Sequence, residues 1–228
     1  MSLYAIADLH LSFGVDKPMD IFGGWEDYEE RILEEWQKTV KPEDTVVIPG
    51  DISWAMKIEE AIPDFKFIES LNGNKIILKG NHDFWWSTKS KIEKMFLDSD
   101  IKSISILQNN SYKYKDISIC GSRGWINENG KEADSKVLAR EALRLEMSIK
   151  SADEESEKIV FLHYPPIFKN DCNYSILEVI KKYNIKTVYY GHLHGRSCLN
   201  AFEGEADGIT YKLISGDHLK FKPVKIYE

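Results

Sequence analysis

The chain has 228 residues, 43% hydrophobic, 29% charged and 12% aromatic. That balance excludes disordered, collagen-like and coiled-coil chains, and the length suffices to bury roughly 70% of the unfolded surface. The net charge of −7, from 30 basic and 37 acidic residues, repels phosphate backbones and argues against broad nucleic-acid binding.

The expected elements alternate along the chain. A strand over residues 4–7 leads into Asp8-Leu9-His10, and a Gly- and Pro-containing loop over 12–25 precedes a helix over 25–39. A strand over 45–48 runs into Pro49-Gly50-Asp51, followed by a helix over 57–71. A strand over 75–78 ends at Gly80-Asn81-His82-Asp83, before a helix over 87–97. A strand over 117–120 meets Gly121-Ser122-Arg123-Gly124-Trp125, then a helix over 131–150 and a solvated charged stretch over 151–158. A strand over 158–162 precedes His163-Tyr164-Pro165-Pro166, and a helix over 174–183 precedes a strand over 187–190 that ends at Gly191-His192-Leu193-His194.

Short continuous apolar runs alternating with helices predict an α/β chain built on a largely parallel sheet. The tail strands over 209–215 and 223–227 lack an intervening helix and predict a second, partly antiparallel sheet. No composition break divides the chain, so one domain over 1–228 is expected. No apolar run approaches the ~18 residues of a membrane span. The first residues show no signal-type apolar region, and Cys120, Cys172 and Cys198 form no CxxC pair. No membrane association, thiolate zinc site or secretory signal is therefore expected, and the location expected is cytoplasmic.

Five of the six histidines, His10, His82, His163, His192 and His194, stand in turns directly after these strands; His218 lies in the tail. Ligands of open α/β sheets bind outside the carboxyl ends of strands, so these imidazoles should meet Asp8, Asp51 and Asn81 at one edge. Imidazoles mixed with hard oxygen donors, without thiolates, suit Mn, Fe, Zn or Mg. Each motif alone is ordinary turn chemistry; their co-occurrence at equivalent structural points points to a metal site.

Asp8-x-His10, Gly50-Asp51, Gly80-Asn81-His82-Asp83, His163 and Gly191-His192-x-His194 together resemble the five-block signature of the calcineurin-like metallophosphoesterases. The resemblance implies a four-layer α/β/β/α sandwich of two mixed sheets and two divalent metal ions, with Mn or Fe favoured over Zn or Mg. It implies that Asp8, His10 and His194 bind one ion, that Asn81, His163 and His192 bind the other, and that Asp51 bridges them. His82 would be the non-ligand imidazole facing substrate, with Asp83 placed to orient an imidazole or to close the turn. Two ions held close by a bridging carboxylate suit hydrolysis of a phosphate ester by a metal-bridging hydroxide.

One departure narrows the class. Protein phosphatases of this superfamily carry an Asp-Arg pair downstream of their Gly-Asp, where this chain has Trp54 and Ala55. A small-molecule phosphate mono- or diester is the expected substrate; a nuclease on the same scaffold and a non-catalytic interaction module are the alternatives. Among five arginines, Arg123 and Arg196 stand in turns beside the motifs and are the candidates for phosphate recognition. Trp25, Trp54, Trp85, Trp86 and Trp125 flank the same turns, as pocket walls or as core beneath the loops. The loop over 12–25 is expected to shape substrate choice.

Overall fold

Runs such as Val46-Val47-Ile48 and Val160-Phe161-Leu162 lack polar alternation, the pattern of strands covered on both faces. A computed structural model of the chain places both in strands. It describes residues 1–126, 131–169 and 171–228, with 131–134 described as helix backbone only. The chain forms two units, Met1–Ile106 with Ile214–Glu228, and Leu107–Leu213.

In the first unit the order is β1 (Leu3–Ala5), α1 (Tyr28–Thr39), β2 (Thr45–Pro49), α2 (Ile62–Ser70), β3 (Asn74–Leu78), α3 (Lys89–Asp98) and β4 (Ile104–Ile106). The second unit continues with β5 (Tyr112–Tyr114), β6 (Ile117–Ser122), α4 (Lys131–Lys150), β7 (Glu157–Leu162), β8 (Ile167–Phe168), β9 (Asp171–Cys172), α5 (Tyr174–Lys182), β10 (Thr187–Tyr190), a 3-10 turn (Gly195–Asn200), β11 (Gly204–Ala206) and β12 (Ile209–Leu213). The chain then returns to the first unit for β13 (Val224–Tyr227).

The first unit's sheet has the order β13-β1-β2-β3-β4. Strands β1 to β4 are parallel, with Ala5 opposite Val47 and Pro49 opposite Leu78, and β13 lies antiparallel beside β1. The second unit's sheet has the order β11-β12-β10-β7-β6-β5, parallel from β12 to β6 and antiparallel at both edges. Each unit has its own apolar core. Helix α1 contributes Tyr28, Ile32 and Trp36, spaced by four on one face, to the first. Helices α4 and α5 contribute Leu145, Ile149, Ile176 and Ile180 to the second. Asn173 caps α5 by accepting a hydrogen bond from the Ile176 N–H at 3.1 Å, which satisfies one of the helix's orphan donors.

The parallel strands divide between two mixed sheets, as the family resemblance implied, where the alternation of strands and helices by itself predicted one. The tail strands do not make a sheet of their own: β12 lies parallel to β10, and β13 closes an edge of the other sheet. Strands β4, β5, β8, β9 and β11 have no counterpart in the sequence reading; at two or three residues each they are too short to carry a period. Helix α2 starts at Ile62 instead of residue 57, with Pro63 in its first turn, where the missing N–H breaks no helical bond.

Asp64 of α2 links two loops of the first unit. It is fully buried, accepts a hydrogen bond from the Phe13 N–H at 2.7 Å and another from the Ser53 hydroxyl. Burial pushes its carboxyl up to about 6, against the opposing pull of those bonds. A raised carboxyl favours the native state while protonated, so this contribution is complete below the unfolded value near 4 and is lost as pH rises through 6. Urea unfolding is expected to show an Asp64→Asn variant losing about 2–3 kcal/mol less stability than wild type between pH 4 and pH 7.

Candidate active site

Parallel strands begin at one edge of a sheet and end at the other, so the loops that follow them gather on one side. In the first unit, the adjacent strands β1, β2 and β3 run into Asp8 and His10, Asp51, and Asn81 with His82 and Asp83. Asp8, His10 and Asp51 are buried. The backbone joins these loops directly: the Asp8 N–H donates to the Gly50 carbonyl at 3.0 Å, and the His10 N–H to the Asp51 carbonyl at 3.0 Å. His10 Nε2 lies 3.7 Å from Asp51 Oδ2.

The register sets a steric demand at the third loop. Counting two residues on from the Pro49–Leu78 pair places Gly80 beside Asp51. A Cβ on Gly80 would stand 2.1 Å from Asp51 Oδ1 and 2.2 Å from the Asp51 nitrogen, far inside van der Waals contact. Only glycine lets the two backbones approach this closely.

Asp83 fastens the same two loops. Its carboxylate accepts from the N–H groups of Gly80 (2.7 Å), Ile52 (2.8 Å) and Ser53 (3.2 Å), and from the Trp85 indole (3.0 Å). The residue is fully buried. Burial, then the neighbouring Asp51 charge, raise its carboxyl, and the three backbone donors oppose them. These bonds make Asp83 a clasp for the turn, one of the two roles that its position in the motif suggests.

Aromatic rings surround the imidazoles. His10 stacks on Trp54 at 4.9 Å and meets Trp25 edge-on at 5.6 Å, and the Tyr28 hydroxyl donates to the His10 carbonyl at 3.0 Å. Trp54 also packs against the half-exposed His82 at 4.4 Å, while the His82 N–H donates to Asp51 Oδ1 at 2.8 Å. Trp25 and Trp85 are buried core beneath the loops, whereas Trp54 and Trp86 are half-buried. The loop over 12–25 is tied down at Phe13 by Asp64 and at the buried Met19 and Trp25, and leaves Ile21 and Phe22 exposed.

The second unit repeats the arrangement. Its adjacent parallel strands β6, β7 and β10 run into Arg123, His163, and His192 with His194. The His163 and Tyr164 N–H groups donate to the Arg123 carbonyl at 3.2 and 2.9 Å, and the Gly191 N–H donates to the His163 carbonyl at 3.1 Å. Buried Tyr164, which no motif in the sequence singles out, packs its ring 4.3 Å from His192. The His163 and His192 rings lie 5.2 Å apart. Arg123 turns its guanidinium over Trp125 at 4.7 Å and toward the buried Glu141, 3.6 Å away, which Arg140 and Arg144 also approach. Arg196 is exposed on the 3-10 turn.

Left-handed backbone recurs in these loops, as it does in turns elsewhere in the chain. Asp8, His10, Asp51 and His192 have φ of 59°, 47°, 49° and 74°, the left-handed region where a side chain is disfavoured. Such conformations cluster where a fold holds functional groups against local preference. Nothing in the sequence signals this at the two histidines.

A model of the family described as calcineurin-like phosphoesterase matches residues 1–196. The chain belongs to the calcineurin-like phosphoesterase family. Its two mixed sheets with helices are those of a metallophosphoesterase-like α/β fold, and its family is one of hydrolases that use divalent metals. No curated protein matches. Among solved structures, a protein of unknown function from Aquifex aeolicus shares 19% identity over 98% of this chain and 95% of its own, with a TM-score of 0.53. A phosphopantetheinyl hydrolase from Mycobacterium tuberculosis shares 14% over 99% and 95%, with a TM-score of 0.56. The protein TT1561 of Thermus thermophilus shares 12% over 99% and 97%, with a TM-score of 0.55. These likenesses show the fold. Among the described residues, no helix of this phosphoesterase is long and apolar enough to cross a membrane.

Replacing Asp83 by Ala strands three backbone donors and an indole N–H in a buried site, each at about 1–3 kcal/mol. Asp83→Ala is therefore expected to lower the unfolding midpoint by roughly 10 °C in calorimetry, and Asp83→Asn by less.

Proposed function

We propose that this phosphoesterase is a two-metal enzyme that hydrolyses a phosphate mono- or diester of a small molecule, and that both units serve one domain over 1–228. The observation that carries the reading is the placement of seven ligand-type side chains on loops after parallel strands, four of them in left-handed backbone. Asp8, His10 and His194 would hold one ion; Asn81, His163 and His192 the other; Asp51 would bridge. The donor set fits divalent cations: two buried carboxylates are costly to keep charged without compensation, and imidazole with carboxylate oxygen suits Mn, Fe, Zn or Mg. When bound, such a pair supplies an activated water and neutralises phosphate charge.

The chain's own residues do the rest. Asp83 and Gly80 fix the turn that presents His82. His82, half-exposed and braced by Trp54, donates its proton to a phosphate oxygen or to the departing alkoxide. Arg196 offers an exposed guanidinium to the phosphate; Arg123 reaches one only by leaving Glu141. Trp54 and Ala55 stand where a phosphoprotein phosphatase would have its Asp-Arg pair, which supports a small-molecule substrate. One structural neighbour is a phosphopantetheinyl hydrolase, which is in keeping with phosphate-ester cleavage. Cys120, Cys172 and Cys198 form no disulfide, which supports a reducing, cytoplasmic setting.

The test uses p-nitrophenyl phosphate and its bis-ester with stripped protein reloaded with Mn²⁺, Fe²⁺, Zn²⁺ or Mg²⁺. Asp51→Asn and His163→Ala are expected to abolish turnover and to lower bound metal measured by elemental analysis. His82→Ala is expected to lose about 10²–10⁴-fold in kcat with its metals retained. Loss of both metals from His82→Ala would overturn the division of roles. Hydrolysis of neither ester with any cation would return the chain to a non-catalytic reading, and salt-sensitive DNA binding would favour a nuclease.

A further inference from the structure

The second unit contains a cavity of about 390 Å³ lined in part by His192, a volume in the range of small-molecule sites. Its walls are mostly hydrocarbon: Leu138 of α4, Pro165 and Pro166 after β7, Phe168 of β8 and Leu193 after β10. Leu193 and both prolines are buried, and Leu138 and Phe168 are half-buried. The wall is built on short, well-braced elements, since β8 pairs with β9 through Ile167 and Cys172.

Several polar groups in that wall already hold partners. Asn173 donates its amide to the Trp125 carbonyl at 2.8 Å and accepts from the Ile176 N–H at 3.1 Å. The Ser197 hydroxyl donates to the His194 carbonyl at 2.7 Å and accepts from the His194 N–H at 2.8 Å. The Asp171 carboxylate accepts from the Cys172 N–H at 2.8 Å. A sugar or base entering here would lose hydrogen bonds to water and gain few in return. An aliphatic group would lose none.

We infer that this cavity receives the apolar part of the substrate's esterifying alcohol, so that the enzyme prefers phosphate esters of apolar alcohols over those of sugars or nucleosides. The inference rests on the reading of His192 as a metal ligand, which puts a bound phosphate at the mouth of the cavity. Burial of the alcohol there adds affinity of roughly fourfold for each methylene taken out of water.

Alkyl phosphates and their methyl diesters, from methyl to octyl, together with glucose and adenosine phosphates, test it in the metal-loaded enzyme. The expected kcat/KM rises at least about tenfold from methyl to butyl and exceeds that of the sugar and nucleoside esters. Leu138→Glu is expected to bring the butyl-to-methyl ratio close to one, and Phe168→Ala to move the optimum to longer chains. Leu143→Glu, on an exposed position of the same helix, is expected to keep the wild-type ratio. Binding of n-octanol by calorimetry provides a readout free of turnover and is expected to be saturable in wild type and lost in Leu138→Glu. A flat chain-length profile without octanol binding overturns the inference while leaving the phosphoesterase reading intact, as does a preference for sugar or nucleoside esters. Octanol binding without hydrolysis of any ester supports an apolar cavity and overturns the phosphoesterase reading instead.

Discussion

Parallel strand pairing is the constraint on which the rest of the structure depends. Because β1, β2 and β3 run in one direction in a fixed register, their carboxyl ends bring Asp8, Asp51 and Asn81 to one edge. The same holds for β6, β7 and β10 with Arg123, His163 and His192. Hydrogen bonding between neighbouring loops then extends this order past the strand ends. Gly80 and Asp83 show how strict the extension is: one has no side chain because Asp51 fills the space, and the other gathers four donors from two loops and an indole.

Holding Asp8, His10, Asp51 and His192 in left-handed backbone is unfavourable locally, by roughly 1–3 kcal/mol for each strained residue. In the first unit the surrounding packing offsets this. His10 is clamped by Trp25, Trp54 and the Tyr28 hydroxyl, so its ring cannot relax without opening an aromatic core. Tyr164 braces His192 in the second unit. Preorganisation of this kind keeps donor atoms in place before any ligand arrives, which limits the reorganisation that binding requires. The same aromatic residues carry much of the cores, so stability and presentation of the site are coupled.

The two sides of substrate recognition call for different chemistry. Phosphate needs charge and hydrogen-bond donors, which in the proposed reading the ligand loops, His82 and Arg196 would provide. The cavity beside His192 offers the reverse, a mostly hydrocarbon surface on which Asn173 and Ser197 are already paired. An apolar pocket beside a bound phosphate would discriminate among esters by the alcohol and not by the phosphate common to all of them.

The continuous apolar runs made β2, β3, β7 and β10 legible almost to the residue, because burial on both faces leaves no room for polar alternation. The motif residues after them, with the family they indicate, were equally legible, since carboxylates and imidazoles at successive strand ends have few other reasons to recur. Composition also determined the acidic charge. Tertiary structure alone decided how the strands order within the two sheets, that β13 returns to the first of them, and that Asp83 works as a clasp. It also decided where Arg123 turns, which tryptophans are core, and that a hydrocarbon cavity adjoins His192. Each of these depends on groups distant in sequence meeting in space, and pairing of that kind leaves no periodic trace in the chain.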